Sequence, residues 1–141
     1  FLQAGVGGLA GAVAALARHA WGDDPRIVIV EPEAAPALIE SVRAGHAVVT
    51  EGPDSAMGRL DCKEPSLIAL RGLARDADAF VTLTEDEAAS ALPVLKSAGL
   101  ETTASGGAGI AALLAAGPCS EALGLTPQSR VLAFLSEEPV T

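Results

Sequence analysis

Apolar residues along this chain fall into blocks with two different spacings. Continuous runs at residues 1–3 (FLQ), 26–31 (RIVIVE), 79–83 (AFVTL) and 130–136 (RVLAFLS) read as strands buried on both faces. Helical spacing fills the intervals. Residues 8–19 form an alanine-rich stretch, and residues 36–44 place Leu38, Ile39 and Val42 on one side with Gly45 as the stop. Leu67, Leu70 and Leu73 follow Pro65, which suits a first helical turn. Thr84 and Glu87 have capping-box spacing, and Pro93 is expected to kink the helix that follows or end it early. Ser105 is expected to cap a last helix carrying Ile110, Leu113 and Leu114 and stopping at Gly117-Pro118. Residues 46–63 show neither spacing and read as an irregular, glycine- and proline-bearing loop. This order predicts one α/β domain over residues 1–141. It is a three-layer α-β-α arrangement around a mostly parallel sheet of about four strands.

Composition narrows the function. The chain has 141 residues, enough for a single core, and 50% of them are apolar, which excludes disorder. A net charge of -9 with scattered basic residues argues against nucleic acid and anionic membranes, both of which need clustered Lys and Arg. Two cysteines (Cys62, Cys119) and two histidines lack ligand spacing, so neither a structural metal nor a disulfide framework is expected. The uncharged stretch near the start has no basic segment before it and is too short to span a bilayer. A cytoplasmic location is the expectation.

The feature with chemistry in it is FLQAGVGGLAG. A glycine loop between a strand and a helix N-terminus presents free N–H groups and the positive end of the helix dipole. It holds an anion without a Lys or Arg, and the same glycines also permit close helix–sheet packing. Gly5-x-Gly7-x-x-Ala10 satisfies a dinucleotide fingerprint, with Glu31 near the distance of the ribose-binding acid. Glu31 is equally a strand-end carboxylate that caps the next turn. A non-catalytic, Rossmann-like dinucleotide-binding domain is therefore one alternative.

Taken in order, FLQAGVGGLAGAVA, IVIVEPEAA, DCKEPSLIAL, DAFVTLTEDEA, TTASGGAGIAAL and SRVLAFLSEE resemble the C-terminal portion of the diaminopropionate ammonia-lyase family. These are pyridoxal-phosphate enzymes of the tryptophan-synthase β-like fold, also called fold type II. The resemblance implies that the chain is part of a larger fold type II domain and that the cofactor is pyridoxal 5'-phosphate. It implies α,β-elimination of 2,3-diaminopropionate to pyruvate and ammonia, on a small amino-acid substrate, in a homodimer. A serine/threonine dehydratase-like enzyme of the same superfamily is the second alternative.

By similarity, the backbone N–H groups of Gly5, Val6, Gly7, Gly8 and Leu9 cradle the cofactor phosphate. Ser136 stands where enzymes of this fold direct a hydroxyl at the pyridine nitrogen, although Ser136-Glu137-Glu138 replaces the family's usual T-E-G. Gln3, polar in an apolar strand end, either faces the site or bonds backbone at a sheet edge. Residues 105–109 lie near the cofactor in relatives. Cys62 belongs to a D-C-K-E-P-S run resembling the family's N-C-G-E-P-S, and nothing pairs it as a nucleophile. The chain's lysines are Lys63 and Lys96. Lys63 stands where the family has Gly and Lys96 lies on a polar helix face, so the Schiff-base lysine and the proton-abstracting acids are expected upstream of Phe1. This portion alone is expected to be inactive.

Overall fold

The computed structural model describes residues 1–139. Its elements follow the order β1 (Leu2–Gln3), α1 (Gly8–Trp21), β2 (Val28–Pro32), α2 (Ala37–Ala44), α3 (Leu67–Asp76), β3 (Ala79–Leu83), α4 (Glu85–Ser97) and α5 (Ala108–Ala115), with a 3-10 turn at Gly117–Cys119. The sheet is parallel with order β1-β2-β3, and β2 is central. Every residue of β2 is buried, as befits a strand covered on both faces.

Side-chain alternation along the middle strand divides the core. Ile27 and Ile29 pack with Leu2, Ala10, Ala14, Leu70 and Leu73 on the side of α1 and α3. Val30 packs with Leu83, Ala88, Ala91, Ala108 and Ala111 on the side of α4 and α5. The three layers are therefore as expected. Alanine at the buried positions lets the helices lie close to the sheet and to one another, so that Gly11 of α1 meets Ala69 of α3 at the backbone.

The sheet has three strands where four are expected. Residues 130–136 run beside β1 in the same direction without a ladder. The Phe1 nitrogen donates to Leu132 O at 2.9 Å, and the other ties to β1 come from the side chain of Gln3. A two-residue β1 offers too short an edge for regular pairing. Three helix details also differ. Ser66, not Pro65, opens α3, its hydroxyl accepting from Ala69 N. Helix α4 begins with the Thr84–Glu87 capping box but runs on through Pro93 to Ser97. Ser105 does not cap α5; that helix starts after Gly107, in a turn whose Gly106 N–H donates to Thr103 Oγ1.

Glu31 resolves one open choice. Its two carboxylate oxygens accept from Leu38 N (2.7 Å) and Ile39 N (2.8 Å), so it caps α2 across the β2–α2 turn. Both oxygens are spent on backbone and the residue is 1% exposed, which corrects the dinucleotide alternative: no acid remains for a ribose. Burial pushes its carboxyl up to about 7 against the two N–H bonds, with repulsion from Glu40 adding to the rise.

The native state thus holds a proton on Glu31 over a range where the unfolded chain has already lost it. The contribution of Glu31 to stability is fully present below the ordinary value of 4.5, falls as pH rises to about 7, and is level above. The fall attributable to this group is about 3 kcal/mol at most. Urea unfolding at successive pH values should display that slope, and Glu31→Gln should remove it.

Candidate cofactor site

Parallel strands deliver their carboxyl ends to one side of the sheet, and the glycine loop lies there, in the position where open α/β sheets take ligands. Only four residues separate β1 from α1. Gly7 makes that reversal with φ 97°, a left-handed conformation that disfavours any side chain. A methyl on Gly7 would also sit 3.0 Å from Ala69 Cβ and 3.1 Å from Leu38 Cδ1. Gly5 is bound by a different constraint. A Cβ there would lie 2.9 Å from Cys62 Sγ and 3.0 Å from Arg59 O. The loop is threaded between α3 and the chain at residues 59–62.

Gly8 is unlike both. A Cβ added to it meets nothing within 4 Å, so packing gives no reason for glycine. Among the described residues, the N–H groups of Gly5, Val6, Gly7, Gly8 and Leu9 form no hydrogen bond, and α1 has no side-chain cap. Val6 and Leu9 are exposed, 46% and 54% respectively, and so is Gly8, which has no side chain to account for it, while Gly7 is buried. A row of unused donors, a helix N-terminus and open space beside Gly8 together fit an anion such as a phosphate.

Ser136 is exposed, and its Oγ accepts from Gln3 Nε2 at 3.0 Å. Gln3 begins the reversal two residues before Gly5, so one short strand carries both the glycine loop and the side chain that holds Ser136. The segment around Ser136 is seated on residues 102–106: its N–H donates to Gly106 O, Thr102 Oγ1 donates to Glu137 O, and the Glu137 carboxylate takes the Thr103 hydroxyl. Glu138, where the family reads Gly, is exposed and meets no steric demand.

The irregular stretch of residues 46–63 closes over the same end of the sheet. Lys63 pins it. Its ammonium donates to Ala34 O (2.8 Å), Pro53 O (2.8 Å) and Asp61 Oδ1 (2.6 Å), while its carbonyl accepts from Thr50 N. The ammonium beside Asp61, helped by the Ser55 N–H, holds that carboxyl below the usual range. Farther along, Glu85 accepts from Ser55 Oγ (2.5 Å) and Ala56 N (2.9 Å), and Ser105 Oγ accepts from Arg59 N. Ser105 thus holds the loop rather than a helix. Lys96 pairs with Glu101 at the surface.

Lys63, Glu85 and Glu137 were not expected to organise this region. Apart from Asp61, beside Lys63, the hydrogen-bond partners of these side chains and of the Glu137 carbonyl are 10 to 35 residues away in sequence and follow no local spacing. A concave feature of about 280 Å³ lies elsewhere, along the outer edge of β1 between Phe1, Val13, Trp21, Leu123, Leu132 and Phe134. None of the five cradle residues lines it. Among the described residues, no group of three or more His, Cys, Asp or Glu could hold a metal, and no helix is long and apolar enough to cross a membrane.

The fold and the loop define the class. The sequence pattern of the family described as "Pyridoxal-phosphate dependent enzyme" matches residues 1–137, and the chain belongs to that family. Pyridoxal phosphate is accordingly its cofactor, and small amino acids are the substrates that such enzymes bind. Among solved structures, diaminopropionate ammonia lyase from Escherichia coli is 28% identical with a TM-score of 0.84, covering 97% of this chain and 38% of that one. A fungal L-serine ammonia-lyase from Rhizomucor miehei is 23% identical with a TM-score of 0.83, covering 97% of this chain and 44% of that one. A threonine deaminase from T.th. is 24% identical with a TM-score of 0.76, covering 83% of this chain and 43% of that one. The last two likenesses establish the fold alone. No match is found among curated proteins. The chain spans about two fifths of the length of these structures.

Because Lys63 joins three parts of the loop, Lys63→Met should lower stability by about 1–2 kcal/mol. It should also speed hydrogen exchange selectively in residues 50–62. Uniform acceleration across the protein would show that the lysine does not act as a local clasp.

Proposed function

We propose that this chain is the phosphate- and ring-binding portion of a pyridoxal-phosphate-dependent ammonia-lyase whose reaction is α,β-elimination of 2,3-diaminopropionate to pyruvate and ammonia. The observation that carries the reading is the run of unused N–H donors at residues 5–9, opening on the space beside Gly8. These groups would hold the cofactor phosphate. Ser136 would donate its hydroxyl proton toward the pyridine nitrogen. When bound, the cofactor supplies an electron sink for the substrate's Cα. A neutral hydroxyl at the ring keeps that sink weaker than a carboxylate would, which suits elimination.

The choice of 2,3-diaminopropionate over serine or threonine is supported by the likeness to the Escherichia coli enzyme, which extends over 97% of this chain at 28% identity. Neither lysine of this chain fits the carrier of the cofactor: Lys63 spends its ammonium on three oxygens and Lys96 lies at the surface. That amine, and the acids that take the α-proton, would come from outside residues 1–141. We accordingly expect these residues alone to be inactive and the whole enzyme to be a homodimer.

Gly8→Ala tests the cradle, since a Cβ there meets nothing within 4 Å and adds bulk beside the unused donors. Thermal stability should change by no more than about 1 kcal/mol. Affinity for pyridoxal phosphate, and for inorganic phosphate as its competitor, should fall at least about tenfold. Unchanged affinity would overturn the cradle. For the substrate, the whole protein loaded with cofactor should release pyruvate from 2,3-diaminopropionate with a higher kcat/KM than it turns over L-serine or L-threonine. The reverse preference would move it to the dehydratases.

A further inference from the structure

Gln3 is 3% exposed, and its amide nitrogen is surrounded by three acceptors: Gly106 O at 3.1 Å, Phe134 O at 3.1 Å and Ser136 Oγ at 3.0 Å. The two carbonyls only accept, so the amide can be placed only one way round: its nitrogen faces them and its oxygen faces Gly109. That oxygen has no partner among the described residues. A buried amide with one end oversubscribed and the other unpaired is unfavourable by itself. Leucine or methionine would serve a strand end better if packing were the sole requirement.

The chemistry of the three acceptors explains the arrangement. An amide N–H₂ donates and does not accept, so the Ser136 proton cannot go to the Gln3 nitrogen and must point elsewhere. Ser136 is exposed, and its hydroxyl donates to no group among the described residues. Glu137, the nearest carboxylate along the chain, is turned onto Thr103 and lies 3.7 Å from Arg59 Nε, so it does not take that proton. The hydroxyl proton is therefore kept off the inner side, where Gln3 stands, and is left for the outer side.

We propose that Gln3 is a positioning residue that keeps the Ser136 proton turned outward, toward a ligand atom that accepts. The proposal rests on the reading that Ser136 meets the pyridine nitrogen. It adds a consequence for that nitrogen. A hydroxyl free to rotate could accept from a protonated ring as well as donate to an unprotonated one. A hydroxyl whose proton is turned outward, with one lone pair already facing Gln3, favours the unprotonated ring. Gln3, which need not touch the cofactor, thereby governs how strongly the ring withdraws electrons.

The test uses the whole protein loaded with pyridoxal phosphate carrying 15N in the ring, whose resonance reports protonation directly. Gln3→Met keeps the length of the side chain and removes its N–H donors. It should raise the pH midpoint of the ring resonance by about one unit, a tenfold change in the protonation equilibrium. Ser136→Ala should raise it also. A midpoint that moves in Ser136→Ala but not in Gln3→Met would overturn the role of Gln3 and leave the Ser136 contact standing. A midpoint unmoved in Ser136→Ala would overturn the contact itself, and the proposal with it. Should Gln3→Met fail to fold, the side-chain amide protons of Gln3 in the unsubstituted protein give a second reading. Ser136→Ala should shift one of the two resonances, and no shift in either would overturn the proposal.

Discussion

The region depends on one steric demand: the chain must leave β1 and enter α1 within four residues while another stretch of backbone crosses against it. Gly5 yields to the crossing chain at residues 59–62, and Gly7 takes the left-handed turn between Leu38 and Ala69. With both met, α1 starts at Gly8 and Leu9, both exposed, with no side-chain cap on its first N–H groups. Anion-binding geometry is thus a by-product of how the reversal is made. Gly8 answers to neither demand, and no neighbour in the fold requires its smallness.

The surroundings are built differently from the core. Around β2, stability comes from apolar burial on two faces, distributed over many alanines and branched residues. At the carboxyl end of the sheet a long loop without periodicity has to be kept in one place. There the work falls to a few polar anchors: Lys63 on two carbonyls, Glu85 and the hydroxyl of Ser105 on one N–H each, and Glu137 on the hydroxyls of Thr102 and Thr103. Charged groups bonded to backbone suit that task because they satisfy donors and acceptors that an irregular loop cannot pair with itself. Glu31 does the same for the start of α2, and its raised pKa is the cost of doing so in a dry place.

Much of this was readable in the sequence, for physical reasons that differ by element. Continuous β-branched runs marked β2 and β3, and a capping box marked α4, because burial on both faces and N–H satisfaction leave local traces. The glycine loop was legible because backbone conformation writes itself into residue type. The fourth strand was not, since residues 130–136 have a strand's composition but meet an edge only two residues long. Ser105 misled because serine caps helices and bonds loops with the same atom. Glu31 stood undecided between ribose and turn until both its oxygens were seen on Leu38 and Ile39. Lys63 was read by what it replaces, and its partners at Ala34 and Pro53 could be found only in three dimensions.

Gln3 and Ser136 are 133 residues apart in sequence, whereas the glycine loop is fixed by a strand and a helix on either side of it. The two ends of the proposed cofactor site therefore belong to different stages of chain closure. The phosphate end depends mainly on neighbours contributed early, and the ring end waits for the longest loop in the domain to close. A polypeptide made from its N-terminus would have most of the grip before it had the tuning. A phosphate-bearing ligand that arrived in that interval would help to order the surface against which the last segment docks.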